Sequence, residues 1–245
     1  MTFWTRAAWV LCAVSVAFLS SGHPPLFGQT EAESLKALRQ RLVEMEQAQL
    51  DLRTRLLVLE DRLNALLGED RESAVYRIPL RKSPVRGDLE APLTLIVFGD
   101  YQSDHSSRAQ FAISRLLEAY PTELRVVHKH YPLRTLHPYA HDAALAAIAA
   151  GRQGRFWEMH ELLYRNSRTL EPSLYPLLAN QIGLDLIAFQ RDRTSLWALE
   201  LLTEDEKQAV EASVDSVPAL FLNGRRMRTW RYDYVKGAIE RLLEP

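Results

Sequence analysis

Between Leu35 and Leu66 apolar residues return every 3.5 positions, a period that leaves the segment few ways to fold. With Leu35 at heptad position a, the a series is Leu35, Leu42, Gln49, Leu56 and Leu63, and the d series is Leu38, Met45, Leu52, Leu59 and Leu66. Nine of these ten seam positions are apolar, and no Gly or Pro interrupts the run before Gly68. A helix with so narrow an apolar stripe buries it against another helix, so the period predicts a coiled coil over residues 31–67. Flanking charges suit a parallel arrangement, in which a g residue meets the following e residue of the partner: Arg41 falls near Glu46 and Arg55 near Glu60. Leucine at both a and d leaves dimer and trimer open, and Gln49 is the one polar a residue, a type that can set register. The same stripe could instead fold back on a globular domain as an amphipathic helix.

Upstream, residues 1–30 hold one charged side chain, Arg6, followed by the apolar stretch Ala7–Leu19 and then Ser20-Ser21-Gly22. A basic start, a short apolar run and small residues after it predict a signal peptide or uncleaved signal anchor over residues 1–22. The run is short for a spanning helix, which needs roughly 20 apolar residues. An exported, periplasmic or otherwise extracytoplasmic protein is the expectation, with membrane anchoring through the N-terminus left open. The single cysteine, Cys12, lies in this run, so the rest of the chain can form neither an internal disulfide nor a thiolate metal site. The formal net charge of −1 argues against a broad nucleic-acid footprint.

The remaining sequence alternates strand and helix. Residues 68–86, with Pro79 and Pro84, read as a linker that contributes at most an edge strand. Leu93–Phe98 is a continuous, partly β-branched apolar run that suits a central strand. Ser103 or Asp104 can cap a helix reaching about Ala119, with Phe111, Ile113, Leu116 and Leu117 as its apolar residues. Leu124–Tyr131 reads as the next strand. Helix is expected from about Tyr139 to Tyr164 with a break near Gly151 and Gly154, again after Pro172, and from Glu204 to Ala212. Ala219–Leu222, Asn223-Gly224 and Arg226–Thr229 read as a hairpin, since Asn-Gly between two such runs is a strong turn signal. A helix over Tyr232–Leu243 closes the chain.

In this order, a helical block inserted between βαβ and ββα halves, the stretch 87–245 resembles the DsbA-like branch of the thioredoxin-fold disulfide oxidoreductases. Four segments carry the resemblance: Ala91–Gln102, Tyr131-Pro132-Leu133 with His137-Pro138, Gly154–His160, and Ser216–Gly224. It implies an α/β thioredoxin fold with a helical insertion, preceded by the coiled coil. It also implies a cis peptide bond before Pro218, in a loop that lies beside Ser103 and pairs with substrate polypeptide in active relatives. Where the family has Cys-x-x-Cys, this chain has Ser103-Asp104-His105-Ser106. Dithiol exchange needs a thiolate, activated at a helix N-terminus, and a second thiol to resolve the mixed disulfide. A serine hydroxyl supplies neither, so no catalytic residue is assigned and Ser103, Asp104 and Ser106 remain good capping residues.

The expected function is thus a coiled-coil-oligomerised, non-catalytic module, chaperone-like or a scaffold. It would bind extended or unfolded polypeptide through Ser103, His105, Val217 and Pro218, with no cofactor. The alternative is a glutathione-dependent enzyme, because kappa-class glutathione transferases and hydroxychromene-carboxylate isomerases resemble DsbA in fold and carry a serine near the first-cysteine position. A thiol-disulfide role retained in name only is the remaining family-level possibility. Two histidine pairs, His128 with His130 on one strand face and His137 with His141 at helical spacing if both are helical, have no cluster of acidic or thiol ligands beside them, so no metal site is expected. Ser103 and His105 diverge at a helix start and do not make a hydrolase pair. Arg225, Arg226, Arg228 and Arg231 read as a solvated hairpin tip.

Overall fold

The computed structural model describes residues 74–244 and, N-terminal to them, residues 37–38, 40–42, 44–49, 51–52, 55–56 and 59. The signal or anchor segment 1–22, Cys12, and the seam residues Leu35, Leu63 and Leu66 lie outside the described residues. The chain divides into two units, Met1–Gln49 and Leu50–Pro245. The described residues between 37 and 49 are helical, as are those between 51 and 59. Leu38, Leu42 and Met45 in the first unit, and Leu52, Leu56 and Leu59 in the second, are each more than half exposed. Among the described residues no helix is long and apolar enough to cross a membrane.

The second unit is built on a five-stranded sheet of order β1-β3-β2-β4-β5, comprising β1 (Val85–Gly87), β2 (Leu93–Gly99), β3 (Leu124–His130), β4 (Ala219–Leu222) and β5 (Arg225–Arg226). The segment read as a linker therefore supplies the edge strand β1, antiparallel to β3. β2 and β3 run parallel, joined by helix α1 (Asp104–Ala119), while β4 runs antiparallel to β2. Period-2 alternation divides the side chains between two cores. Leu93, Leu95 and Val97 of β2 and Leu220 and Leu222 of β4 pack with α1 and α7 (Tyr232–Leu243). Ile96, Phe98 and Phe221 pack with Ala209, Ala212 and Val214, at the end of α6 (Leu196–Glu211) and just beyond.

Between β3 and β4 stand α2 (Ala140–Arg152), α3 (Phe156–Arg165), α4 (Leu174–Gln181), α5 (Leu186–Arg193) and α6. Small residues let these helices approach closely: Ala143, Ala146, Ala147, Ala149 and Ala150 of α2 are all fully buried in the insertion's core. Asn223 and Gly224 both have positive φ (46° and 81°), as a two-residue hairpin turn demands. A side chain at 224 would meet the Tyr76 carbonyl oxygen at 2.5 Å.

Four local expectations need correction. Phe111 is 73% exposed, and α1 instead buries Ala109, Ala112, Ile113 and Leu116, which follow the i, i+3, i+4, i+7 spacing of one helix face. The hairpin's return strand is only Arg225–Arg226. The last insertion helix starts at Leu196, where Ser195 Oγ accepts from Ala198 N at 3.2 Å. His137 precedes α2 and pairs with Asp100, whereas His141 lies within α2 beside Asp142, so the two do not share a helix face.

His128 and His130 do share a strand face, and α3 brings His160 to them. The His128 ring lies 4.9 Å from that of His130 and 4.6 Å from that of His160. All three are buried. Burial, aided by nearby cations and by the other imidazoles, lowers all three pKa values, that of His130 to about 3. Among the described residues no three or more His, Cys, Asp or Glu side chains are grouped so as to hold a metal ion.

Two predictions follow from these cores. Leu116→Ala should lower unfolding free energy by about 2–5 kcal/mol, and Phe111→Ser should change it by no more than about 0.5 kcal/mol; urea unfolding of both variants checks the pair. The histidines have folded pKa values below the unfolded value of about 6.5, so the unfolded chain takes up protons first on acidification. Their stabilising contribution is complete above about pH 6.5 and is lost progressively as pH falls below it, for His130 down to about 3. The urea midpoint should accordingly decline below about pH 6.5, and His130→Phe should flatten the decline; a midpoint unchanged down to pH 5 would contradict a neutral cluster.

Candidate functional site

The site grows from the end of β2. The strand delivers Asp100 into the interior, 1% exposed, where its carboxyl is shared among three partners. Oδ1 accepts from Gln102 N at 2.7 Å, and Oδ2 accepts from Leu133 N at 2.8 Å and lies 2.8 Å from His137 Nδ1. The same residue's carbonyl accepts from Ser103 N at 3.1 Å. One side chain thereby fixes both the turn into α1 and the segment that opens the insertion.

Ser103 is the N-cap of α1, its Oγ accepting from Ser106 N at 3.2 Å. Ser106 Oγ in turn accepts from Asp100 N at 3.4 Å. Both serines are buried. Between them, Asp104 and His105 are exposed. Asp104 forms a two-pronged contact with Arg168, at 3.2 Å to Nε and 3.1 Å to Nη2, and that hydrogen-bonded guanidinium holds its carboxyl below the usual range. The exposed face of the tetrad is therefore an ion pair and one imidazole, with the two hydroxyls beneath.

Across from this helix start lies the loop Ser213–Pro218. The Val217–Pro218 peptide bond is cis. The β2–β4 ladder begins at Ala219, so Ser216 and Val217 lie outside it. Asp215 is paired with Arg226 Nη2, and Arg226 Nη1 donates to the Ser213 carbonyl at 2.8 Å. Burial raises the Asp215 pKa, but the charge of Arg226 and its hydrogen bond outweigh this and hold it low. Arg226 is thus a brace for the loop, which corrects its reading as part of a solvated tip; Arg225, Arg228 and Arg231 are exposed. This ion pair and the role of Asp100 were not foreseen from the sequence, where the only cue was a polar residue directly after an apolar strand.

His105, Val217 and Pro218 line one open groove of about 440 Å³, whose other wall is Met227, Arg228 and Trp230. Ser103 does not line it. The groove thus offers an apolar and basic surface beside backbone that belongs to no strand ladder, a combination suited to an extended peptide. It carries no thiol, because the chain's only cysteine is Cys12.

Known proteins agree with this geometry. A family model described as Thioredoxin matches residues 80–241. Over 167 residues, 67% of this chain, the sequence is 38% identical to the Na(+)/H(+) antiporter NhaA 1 of Salinispora arenicola and covers 26% of it. The chain thus spans about a quarter of the length of the curated relatives it matches. A thioredoxin-like oxidoreductase from Silicibacter pomeroyi superposes with a TM-score of 0.59 at 23% identity, covering 66% of this chain and 92% of that one. The thiol-disulfide exchange protein alpha-DsbA2 from Wolbachia pipientis superposes with a TM-score of 0.60 at 13% identity, covering 78% and 98%. With its helical insertion between βαβ and ββα halves, the chain belongs to the thioredoxin family and has a DsbA-like fold.

Proposed function

We propose that this protein is an exported, non-catalytic polypeptide-binding module, chaperone-like or a scaffold, whose heads are gathered by the N-terminal helix. The observation that carries the reading is the contrast between the two halves of the site. The positions that the family resemblance assigns to the redox pair hold Ser103 and Ser106, whose hydroxyls are buried in capping and turn hydrogen bonds. The loop opposite keeps its cis proline and, with His105, an open groove. Loss of the thiols removes turnover but leaves the surface on which an extended chain can lie.

Gathering follows from the N-terminal helix. In each unit three seam residues, Leu38, Leu42 and Met45 in the first and Leu52, Leu56 and Leu59 in the second, are more than half exposed, apolar surface that association with a second copy would bury. Linked heads gain apparent affinity for a long polypeptide without any new contact. Export is supported by the basic-then-apolar residues 1–22. Ion exchange is not part of the reading, because the antiporter name describes chains of which this one covers about a quarter.

Titrating the ¹⁵N-labelled full chain with an unfolded, cysteine-free polypeptide should shift amide signals of Asp104–Ser106, Ser216 and Val217. Signals there that stay still at saturating polypeptide would remove the groove as the binding surface. Replacing both Leu56 and Leu59 by Asp should convert the oligomer to monomer in sedimentation and weaken polypeptide binding by about tenfold or more; unchanged affinity in a monomer would refute the multivalent half of the proposal.

A further inference from the structure

A second cavity, separate from the groove, lies between the start of the sheet and the insertion. It measures about 260 Å³, just below the ~300–1,000 Å³ usual for ligand sites. Its wall is mainly apolar: Pro84, Ile148, Phe156, Trp197 and Leu201. Lys129 and Asp205 close its floor as an ion pair at 3.1 Å, the lysine side chain being 1% exposed. Lys129 Nζ also donates to Ser83 Oγ at 2.7 Å, which ties the segment before β1 to the cavity.

The charge around the cavity does not balance. Its lining contains the cations Arg81, Lys82, Lys129 and Arg152 against the carboxylates Glu204 and Asp205. Arg81 pairs with Glu204 at 3.1 Å and Lys129 with Asp205, leaving Lys82 and Arg152 at the mouth. The Arg152 guanidinium stacks over the Trp197 ring at 4.9 Å, and its one carboxylate contact among the described residues is Asp192 at 3.6 Å, outside the cavity lining. Stacking holds the cation at the edge of the apolar wall. There an anionic head can meet it while an attached hydrocarbon part enters between Trp197, Leu201, Ile148 and Phe156. A neutral apolar ligand would leave Lys82 unused and Arg152 with only its long contact to Asp192, and a purely ionic one would leave the wall wet.

We infer that this cavity binds a small amphipathic carboxylate, with its chain or ring against Trp197 and Leu201 and its carboxylate at Arg152 and Lys82.

The probe is octanoate, added to the ¹⁵N-labelled full chain, with octan-1-ol to isolate the tail and acetate to isolate the head. Octanoate should shift the Trp197 indole N–H and the amides of Ile148, Arg152 and Leu201, and acetate should shift none of them. Arg152→Gln should weaken octanoate about fivefold, the worth of one partly exposed ion pair, and leave octan-1-ol unchanged. Leu201→Trp, which fills the cavity, should abolish both responses while the remaining spectrum stays folded. No shift at these residues at millimolar octanoate, shifts confined to other surfaces, or an Arg152→Gln variant that binds octanoate as the parent does would each overturn the assignment.

Discussion

The Asp100 carboxyl group is the constraint from which the site's geometry follows. A buried carboxyl with unmet hydrogen-bonding capacity is costly, on the order of 1–3 kcal/mol or more for each group left unpaired. The chain around it is arranged to meet that demand. Gln102 N, Leu133 N and His137 all converge on it, so the turn before α1 and the segment leading to α2 share one anchor. Because β4 pairs with β2 through Leu95–Phe98, the proline loop is held against the same strand that leads into Asp100. The helix start that carries His105 and the loop that carries Val217 and Pro218 are thus fixed by neighbouring points of one strand.

The serines fit that frame as structural residues. At a helix start the first N–H groups lack intrahelical partners, and Ser103 Oγ meets one of them at Ser106 N. Ser106 Oγ meets the backbone N–H of Asp100, at the strand's end. A thiol is a weak hydrogen-bonding group in either role, whereas a hydroxyl serves well, so exchanging sulfur for oxygen here favours a firmly capped turn over reactivity. What remains accessible is His105 and the ion pair of Asp104 with Arg168, groups that can hold or steer a chain but cannot exchange disulfides.

Legibility in the sequence tracked the range of the interactions concerned. The central strand, the Asn-Gly hairpin and the break between α2 and α3 depend on neighbours a few residues apart, and all were readable. Phe111 was misplaced because hydrophobicity was weighed above spacing: Ala109, Ala112, Ile113 and Leu116 trace the buried stripe, and the two alanines, too small to stand out, hid it behind one large ring. The return strand was read too long because its ladder ends at Arg226, whose side chain reaches across the loop to Asp215 and Ser213. The link from Asp100 to Leu133 and the Lys129–Asp205 pair were invisible for the same reason, the partners lying 33 and 76 residues apart. The serine tetrad itself was legible only as a departure from a family pattern; nothing in its own four residues distinguishes a lost redox site from an ordinary helix cap.

The sheet's period-2 alternation also explains how one domain can carry two recessed surfaces with different chemistry. On β3, Leu124 and Val126 join the core shared with α1 and α7, while Lys129 turns to α6 and meets Asp205. On β4, Leu220 and Leu222 take the first face and Ala219 and Phe221 the second. The groove opens where β4 leaves the proline loop, and the cavity opens where β3 meets α2 and α6, with fully buried β2 side chains between them. A close-packed interior of this kind transmits shape poorly unless it has two alternative packings, and the three buried histidines supply rings that are kept neutral near pH 7, not a second arrangement. Occupancy of one surface is therefore expected to leave the other's affinity nearly unchanged, even though α6 lines the cavity through Leu201, Glu204 and Asp205 and leads directly into the groove's loop.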